Sequence, residues 1–423
     1  MKTLRIRGGV PLSGEVAVSG SKNAALPILA ASLLVREPIE LLNLPEICDC
    51  AEMLSLLRLR GVTAERVERG HYRLTAPDKP SIASVAAGEG RMRGSLYLLG
   101  ASLAACGEAS VGLPGGCDFG SRPFDLHVSV LEALGASVEE RDGRLFASAR
   151  VLRGTDYTFS TVSVGATVNA ILAATMARGT SVLRRAAEEP HVKDLIAFLV
   201  SAGADISSPE RGVIVIRGQR PLHGTVHRIT PDMIEAGTYL LMAAATRGEI
   251  TLRGAPTEQL DALFTVLSQM GCELSVLSSE DVRLAMRRRP APLSLSTAPY
   301  PAFPTDLHPQ TAAVLALAEG ESRITETVFA GRFRYTEGLR AFGASLSVEG
   351  TDVVIGGIPS LHGAEAVAPD LRGGAALLIS ALAAEGESVI RGAELLDRGY
   401  EELLAKLTGL GALIADGGGA SSA

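Results

Sequence analysis

Two stretches, LEALGASVEE at 131–140 and LTGLGALIAD at 407–416, share one grammar: a short apolar helical segment, a glycine, then an alternating strand. The same grammar recurs in LLRLRGVTAERV (56–67), FLVSAGADISS (198–208), VLSQMGCELSV (266–276) and LRAFGASLSV (339–348). The glycines, Gly61, Gly135, Gly203, Gly271, Gly343 and Gly411, are spaced by 74, 68, 68, 72 and 68 residues. Six units of about seventy residues therefore fill the chain, and the repeat overrides the three domains that length alone suggests. A glycine just past a helix end is the residue that tolerates the left-handed conformation such an end requires.

A second echo lies inside the units. NAALPILAASLLVREPIELLNL (23–44), GSLYLLGASLAACGEASVGL (94–113), GATVNAILAATMARGTSVLRR (165–185) and GAALLISALAAEGESVIRG (374–392) each run an apolar, small-residue segment into a charged turn and a strand. A helix apolar on all sides is a buried helix. The glycine-ended helices are more amphipathic, and in the second unit Phe124, Val128, Leu131 and Leu134 are expected to share the inward face. Each unit reads as a βαβαββ module: strand, buried helix, strand, surface helix, strands. Three buried helices walled by strands make one core, so six modules predict two α/β domains of three. The tail ADGGGASSA, at 415–423, reads as disordered.

Composition narrows the function. The chain has 423 residues, 47% of them apolar, with 40 Lys and Arg against 47 Asp and Glu for a net charge of −7. That balance is not one of a general nucleic-acid binder, so no nucleic-acid partner is expected. MKTLRIRGGV has no apolar leader core, and the apolar run AALPILAASLLV spans only residues 24–35. A bilayer needs about 20 such residues, so no membrane partner is expected either. Five cysteines without a CxxC pair point to a reducing cytoplasm.

The chemistry starts at PGGCDFGSRP, residues 114–123. This loop is longer than its counterparts in the other units, and a copy that departs from its siblings is a candidate functional loop. Gly115, Gly116 and Gly120 let it move, and Arg122 favours a thiolate at Cys117 and can hold an anion, while Asp118 keeps a proton on that sulfur. In SGSKNAALP, Lys22 opens a buried helix, where the helix dipole disfavours a cation unless an anion lies between them. Arg93, Asp306, Asp370 and Arg372 likewise stand at entries to buried helices, so these ends are expected to converge. His223 and His227 do not share a helix face and predict no metal site, and GEGRMRG (88–94) is not a dinucleotide fingerprint.

SGSKNAALPILAASLL, LPGGCDFGSRPFDLH, SVGATVNAILAAT, APYPAFPTDL, ITETVFAGRF, DLRGGAALL and DRGYE together resemble the enolpyruvyl transferases of the UDP-N-acetylglucosamine 1-carboxyvinyltransferase type. The likeness covers nearly the whole chain except the tail. The shikimate-pathway members share the six-unit fold but lack the cysteine loop. The resemblance implies two inside-out α/β domains, 22–229 and 1–21 with 230–415, followed by a disordered tail at 416–423. It implies transfer of the enolpyruvyl group of phosphoenolpyruvate to the 3′-hydroxyl of UDP-N-acetylglucosamine, with release of phosphate. It implies no metal and no organic cofactor, a cytoplasmic enzyme and a monomer.

Residue by residue, the resemblance makes Cys117 the acid that protonates C3 of phosphoenolpyruvate and Asp306 the acceptor of the sugar hydroxyl proton. Lys22, Arg122 and Arg398 would hold phosphoenolpyruvate, with Arg332 and Arg372 in support. Lys22, Asn23, Arg93, Arg122, Pro123, Phe124, Asp125 and Leu126 would contact the UDP-sugar or line its side, Ser163, Val164, Gly165, Asp306 and Val328 would complete that site, and Glu189 and Asp370 would orient neighbours. Three positions depart from the family pattern: Met233 stands where arginine is common, Gly94 where alanine is frequent, and Glu188 where a basic residue is usual. A non-catalytic UDP-sugar-binding paralogue, and transfer to an acceptor such as shikimate 3-phosphate, remain the alternatives.

Overall fold

The computed structural model describes residues 1–81, 92–113 and 124–417. The chain divides into two compact units, Gly20–Thr230 and Met1–Ser19 with Pro231–Ala423. Backbone pairing sets these limits rather than the expected 21/22 and 229/230. The Ser21 amide donates to the Thr230 carbonyl within one unit, and the Asp232 amide to the Ser19 carbonyl within the other.

Each unit is built on three helices buried on every side. In Gly20–Thr230 they are Lys22–Ala31, Tyr97–Cys106 and Val164–Thr175, the middle one packing on both others. In the other unit they are Met233–Ala245, His308–Leu315 and Leu371–Ala383, each touching the other two. Every residue from Ile234 to Ala245 is buried. Alanine and glycine let such helices approach closely: the Gly100 amide donates to the Asn169 side chain at 2.7 Å, where a Cβ on Gly100 would collide.

Sheets wall these helices with one face inward. Ile39–Leu42 alternates buried and half-buried, as a sheet with one covered face requires. It lies in the order Val226–Arg228, Ile39–Leu42, His71–Thr75, Thr63–Glu68, with the first pairing parallel and the others antiparallel. Four further sheets repeat that order and those senses, and a three-stranded sheet of Glu108–Gly112, Arg144–Ser148 and Ser137–Arg141 completes the set among the described residues. One sheet is closed from far away in sequence. Thr3–Arg7 lies between Glu387–Arg391 and Leu413–Asp416, antiparallel to both, in the place that a local hairpin strand fills elsewhere.

The six glycines all have positive φ, from 85° at Gly411 to 101° at Gly203. Each makes the same pair of bonds. The Gly135 amide reaches the Glu132 carbonyl and the Ala136 amide reaches Leu131. The same two links form at Gly61, Gly203, Gly271, Gly343 and Gly411. This double closure satisfies the last helical carbonyls and turns the chain into its strand. The residue that follows each glycine (Val62, Ala136, Ala204, Cys272, Ala344 or Ala412) is buried or half-buried, as the motif's apolar contact needs.

Two expectations change. The inward face of Asp125–Ala133 is His127, Val130 and Leu131, continued by Leu134; Phe124 and Val128 are only partly covered. On that inward face His127 meets the Asn169 side chain at 2.9 Å inside the core. Ala415 and Asp416 are not disordered: they pair with Arg5 and Leu4, which gives their backbone groups a ladder partner. Residues 418–423 lie outside the described residues. No helix among the described residues is long and apolar enough to cross a membrane.

Candidate active site

In Gly20–Thr230 the starts of the buried helices gather at one end. Ser21 caps Lys22–Ala31 by accepting from the Ala24 amide, and Ser163 caps Val164–Thr175 by accepting from the Ala166 amide. Pro27, inside the first helix, has no N–H to give the Asn23 carbonyl. Lys22 meets Asp49 at 3.3 Å, and both side chains are largely covered. Asp49 sits in the first turn of Cys48–Leu59, where a carboxylate suits the helix dipole. Lys22 is thus held at its unfavourable helix start by a carboxylate that the sequence reading did not single out.

Arg93 opens the turn Arg93–Leu96 leading into Tyr97–Cys106. A Cβ on Gly94 would stand 2.7 Å from a Leu26 methyl, so alanine there would require that methyl to shift. His127 lies beneath this end. The Asn169 side-chain oxygen accepts from the Gly100 amide, so its NH2 faces the His127 Nδ1 at 2.9 Å and the imidazole carries its proton on Nε2. That Nε2 points at the Gly165 backbone, where any Cβ would stand 2.9 Å away. Burial, reinforced by Arg93, pushes the His127 pKa down to about 4. Val164 and Gly165 form the first turn of their helix, half-buried.

Glu189 caps Pro190–Ser201 with its backbone, and its Oε2 is buried without a hydrogen-bond partner among the described residues. It adds to the burial that lifts the Tyr97 hydroxyl to about 12, whereas Arg93 opposes that rise. Glu188 turns away to Arg211 at 2.7 Å, which gives its departure from the family pattern a local partner. Phe124 and Leu126 are half-buried and Asp125 exposed at the start of Asp125–Ala133. Cys117, Arg122 and Pro123, with the rest of PGGCDFGSRP, lie outside the described residues.

In the other unit the anionic caps and cations interlock. Asp370 caps Leu371–Ala383 by accepting from the Arg372 and Gly373 amides. Asp232 does the same for Met233–Ala245, so a Pro-Asp pair before an apolar run marks two helix starts and was a legible signal for Asp232. Met233 begins that helix, partly buried against the core. Asp306, in the turn Thr305–Leu307, binds Arg332 at 2.6 Å through one oxygen and Arg372 at 2.9 Å through the other. Both arginine side chains are nearly buried, at 5% and 7% exposure, while the Asp306 side chain keeps 27%. Burial works against the Arg372 charge, but Asp306, Tyr400 and Asp232 outweigh it and raise its pKa. Arg398 is half-buried two residues before Tyr400, whose hydroxyl reaches Thr238 at 3.0 Å. Val328 is exposed at 39%, although its amide is fixed by Glu326.

The structure therefore brings Lys22, Asn23, Arg93, Ser163, Val164, Gly165 and Glu189 to one end of one unit, and Asp306, Arg332, Asp370, Arg372 and Arg398 to one end of the other. Asp49, His127, Asn169, Glu326 and Tyr400 belong to the same two clusters and were not read as site residues.

A family model described as EPSP synthase (3-phosphoshikimate 1-carboxyvinyltransferase) matches residues 6–407. The UDP-N-acetylglucosamine 1-carboxyvinyltransferase 2 of Caldanaerobacter subterraneus subsp. tengcongensis is 43% identical over 413 residues, 97% of this chain and 99% of its own. Among solved structures, the enolpyruvyl transferase NikO from Streptomyces tendae has a TM-score of 0.88 at 27% identity, over 98% of each chain. EPSP synthase from Acinetobacter baumannii, at 18% identity and a TM-score of 0.76 over 98% of this chain and 100% of its own, shares the fold. With six modules, two triple-helix cores and a match running through almost all of both, the chain belongs to the EPSP synthase family of carboxyvinyl (enolpyruvyl) transferases.

Proposed function

We propose that this carboxyvinyl transferase moves the enolpyruvyl group of phosphoenolpyruvate onto the 3′-hydroxyl of UDP-N-acetylglucosamine, releasing phosphate. The observation that carries the reading is the 43% identity, over 97% of the chain, to a relative named for that transfer. The cysteine loop at 114–123, which the shikimate-pathway members lack, favours it over transfer to shikimate 3-phosphate.

The chemistry fits the groups present. C2 of an enol phosphate is a poor electrophile until C3 is protonated, and the thiol of Cys117 is the proposed acid. The sugar oxygen then bonds to C2 while its proton passes to Asp306. The tetrahedral adduct finally loses a C3 proton and inorganic phosphate, which restores the double bond. Asp306 starts out neutralised by Arg332 and Arg372. The carboxylate and phosphate of phosphoenolpyruvate compete for those guanidiniums, so substrate binding frees the base it needs. Lys22, Arg93, Arg122 and Arg398 offset the remaining substrate charge, a large term where water is excluded. A cytoplasmic monomer acting at the first committed step of peptidoglycan synthesis, and hence in cell shape and division, goes with this reading.

The test is phosphate release from phosphoenolpyruvate, measured with each acceptor in turn. Release that requires UDP-N-acetylglucosamine supports the reading. Release with shikimate 3-phosphate instead, or UDP-sugar binding without turnover, overturns it. Cys117→Ala is expected to abolish turnover and keep UDP-sugar binding, Cys117→Asp to retain part of the activity, and the epoxide phosphonate fosfomycin to alkylate Cys117.

A further inference from the structure

Behind Asp306 lies a carboxylate that touches none of the proposed substrate atoms. Glu326 is 2% exposed and directly follows the strand Glu321–Thr325. One of its oxygens accepts from the Thr297 hydroxyl at 2.8 Å and from the Val328 and Phe329 amides at 2.8 and 2.9 Å. The other accepts from the Thr305 hydroxyl at 2.9 Å and His308 Nδ1 at 2.8 Å. Two backbone amides, two hydroxyls and an imidazole nitrogen face it, all able to donate, and together they favour the ionised carboxylate. Burial alone would raise its pKa, but the bonds from His308, Phe329, Thr297 and Val328 hold it down at about 2. His308, whose own pKa burial lowers, gives its Nδ1 proton to Glu326 and accepts the Tyr335 hydroxyl at Nε2, 2.9 Å away.

The network runs outward from there. Because the Thr305 hydroxyl donates to Glu326, its lone pairs are turned to Arg332, whose Nε donates to it at 3.0 Å. The same guanidinium donates to Asp306 at 2.6 Å. Its other side lies over the Phe329 ring, 4.6 Å from the centroid, and the Phe329 amide is the one Glu326 holds. Glu326 thus fixes Arg332 twice, through a hydroxyl at its edge and through the backbone beneath its face.

We infer that Glu326 is a positioning residue for the transfer reaction, aiming Arg332 and the Asp306 carboxylate through the Thr305 hydroxyl. The inference rests on the proposed function, because it assumes that Arg332 and Asp306 meet the substrates. Glu326 also satisfies five donors in the fold, so the two roles are told apart by kcat, which a merely structural role would not move.

A double-mutant cycle on the full-length enzyme separates the two roles. Glu326→Gln keeps the shape; its amide can face His308 and Thr305 once the imidazole changes tautomer and the hydroxyl turns. Thr305→Val removes the relay and keeps the volume. Each is expected to lower kcat by at least about tenfold, since small misplacements of reacting groups cost that much or more. KM for UDP-N-acetylglucosamine should stay within about twofold, and the double variant should be no slower than the slower single. Multiplying effects, or a Glu326→Gln enzyme with unaltered kcat, would overturn the assignment. If Glu326→Gln does not fold, Thr305→Val and Arg332→Lys replace it in the cycle, because lysine has no Nε to bind the hydroxyl. Non-multiplying losses then support the relay, and an unaltered kcat in Thr305→Val overturns it. A wild-type enzyme without UDP-sugar-dependent phosphate release would fail the proposed function instead, so the two failures are distinguishable.

Discussion

His127 shows how much a single side chain decides. Its Nδ1 is used by Asn169 and its ring is 4% exposed, so the folded protein keeps it neutral. An unfolded chain protonates histidine near pH 6.5, whereas the folded one waits until about 4. Below pH 6.5 the unfolded state therefore binds a proton that the folded state refuses, and stability falls with pH until both are protonated. The group accounts for a loss of about 3 kcal/mol between pH 7 and 4. Urea unfolding across that range should show a shallower decline in His127→Gln, which still offers Asn169 an acceptor; an identical slope in both proteins would rule out a buried neutral His127. Residues of this kind were poorly legible. Lys22 was visible as a cation at the wrong end of a helix, and Asp306 as an acid entering one. Asp49, His127 and Glu326 carry no such local anomaly, and their roles arise only when distant segments meet them.

At the level of elements the sequence was far more open, because helix ends obey local rules. Six glycines predicted six left-handed turns, and all six formed with the same two hydrogen bonds. Their surroundings differ, and that difference is testable. An added Cβ at Gly411 meets nothing within 4 Å, so Gly411→Ala should cost only the left-handed strain, about 1 kcal/mol. At Gly343 the added carbon would stand 2.9 Å from the exposed His362 ring, and turning that ring aside should add about 0.5–1 kcal/mol more. Equal shifts of the urea midpoint in the two variants would contradict this ordering. Which face of a short helix turns inward was less legible. In Asp125–Ala133 both candidate stripes contain valine and leucine, and only the Asn169 partner for His127 chooses between them.

For the molecule as a whole, repetition announced the modules but not how the last sheet closes. That closure depends on Thr3–Arg7, whose Leu4 and Ile6 are both 1% exposed in the core of the Met1–Ser19 and Pro231–Ala423 unit. Removing residues 1–8 withdraws a central strand and two buried side chains, each contributing about 1.5–3 kcal/mol. That unit is expected to lose its cooperative unfolding transition, while the transition of Gly20–Thr230 persists; retention of both would show the strand to be dispensable. The same closure also imposes a timetable during synthesis. Thr3 pairs with Arg391 and Leu4 with Asp416, so this strand is synthesised long before either of its neighbours. Among the described residues, every strand of Gly20–Thr230 pairs within that unit, so it can complete itself while translation continues. Until Glu387–Asp416 emerges, the nascent protein carries one finished body and a waiting strand whose Leu4 and Ile6 lack their cover, which makes that interval the moment at which a chaperone has the most to shield.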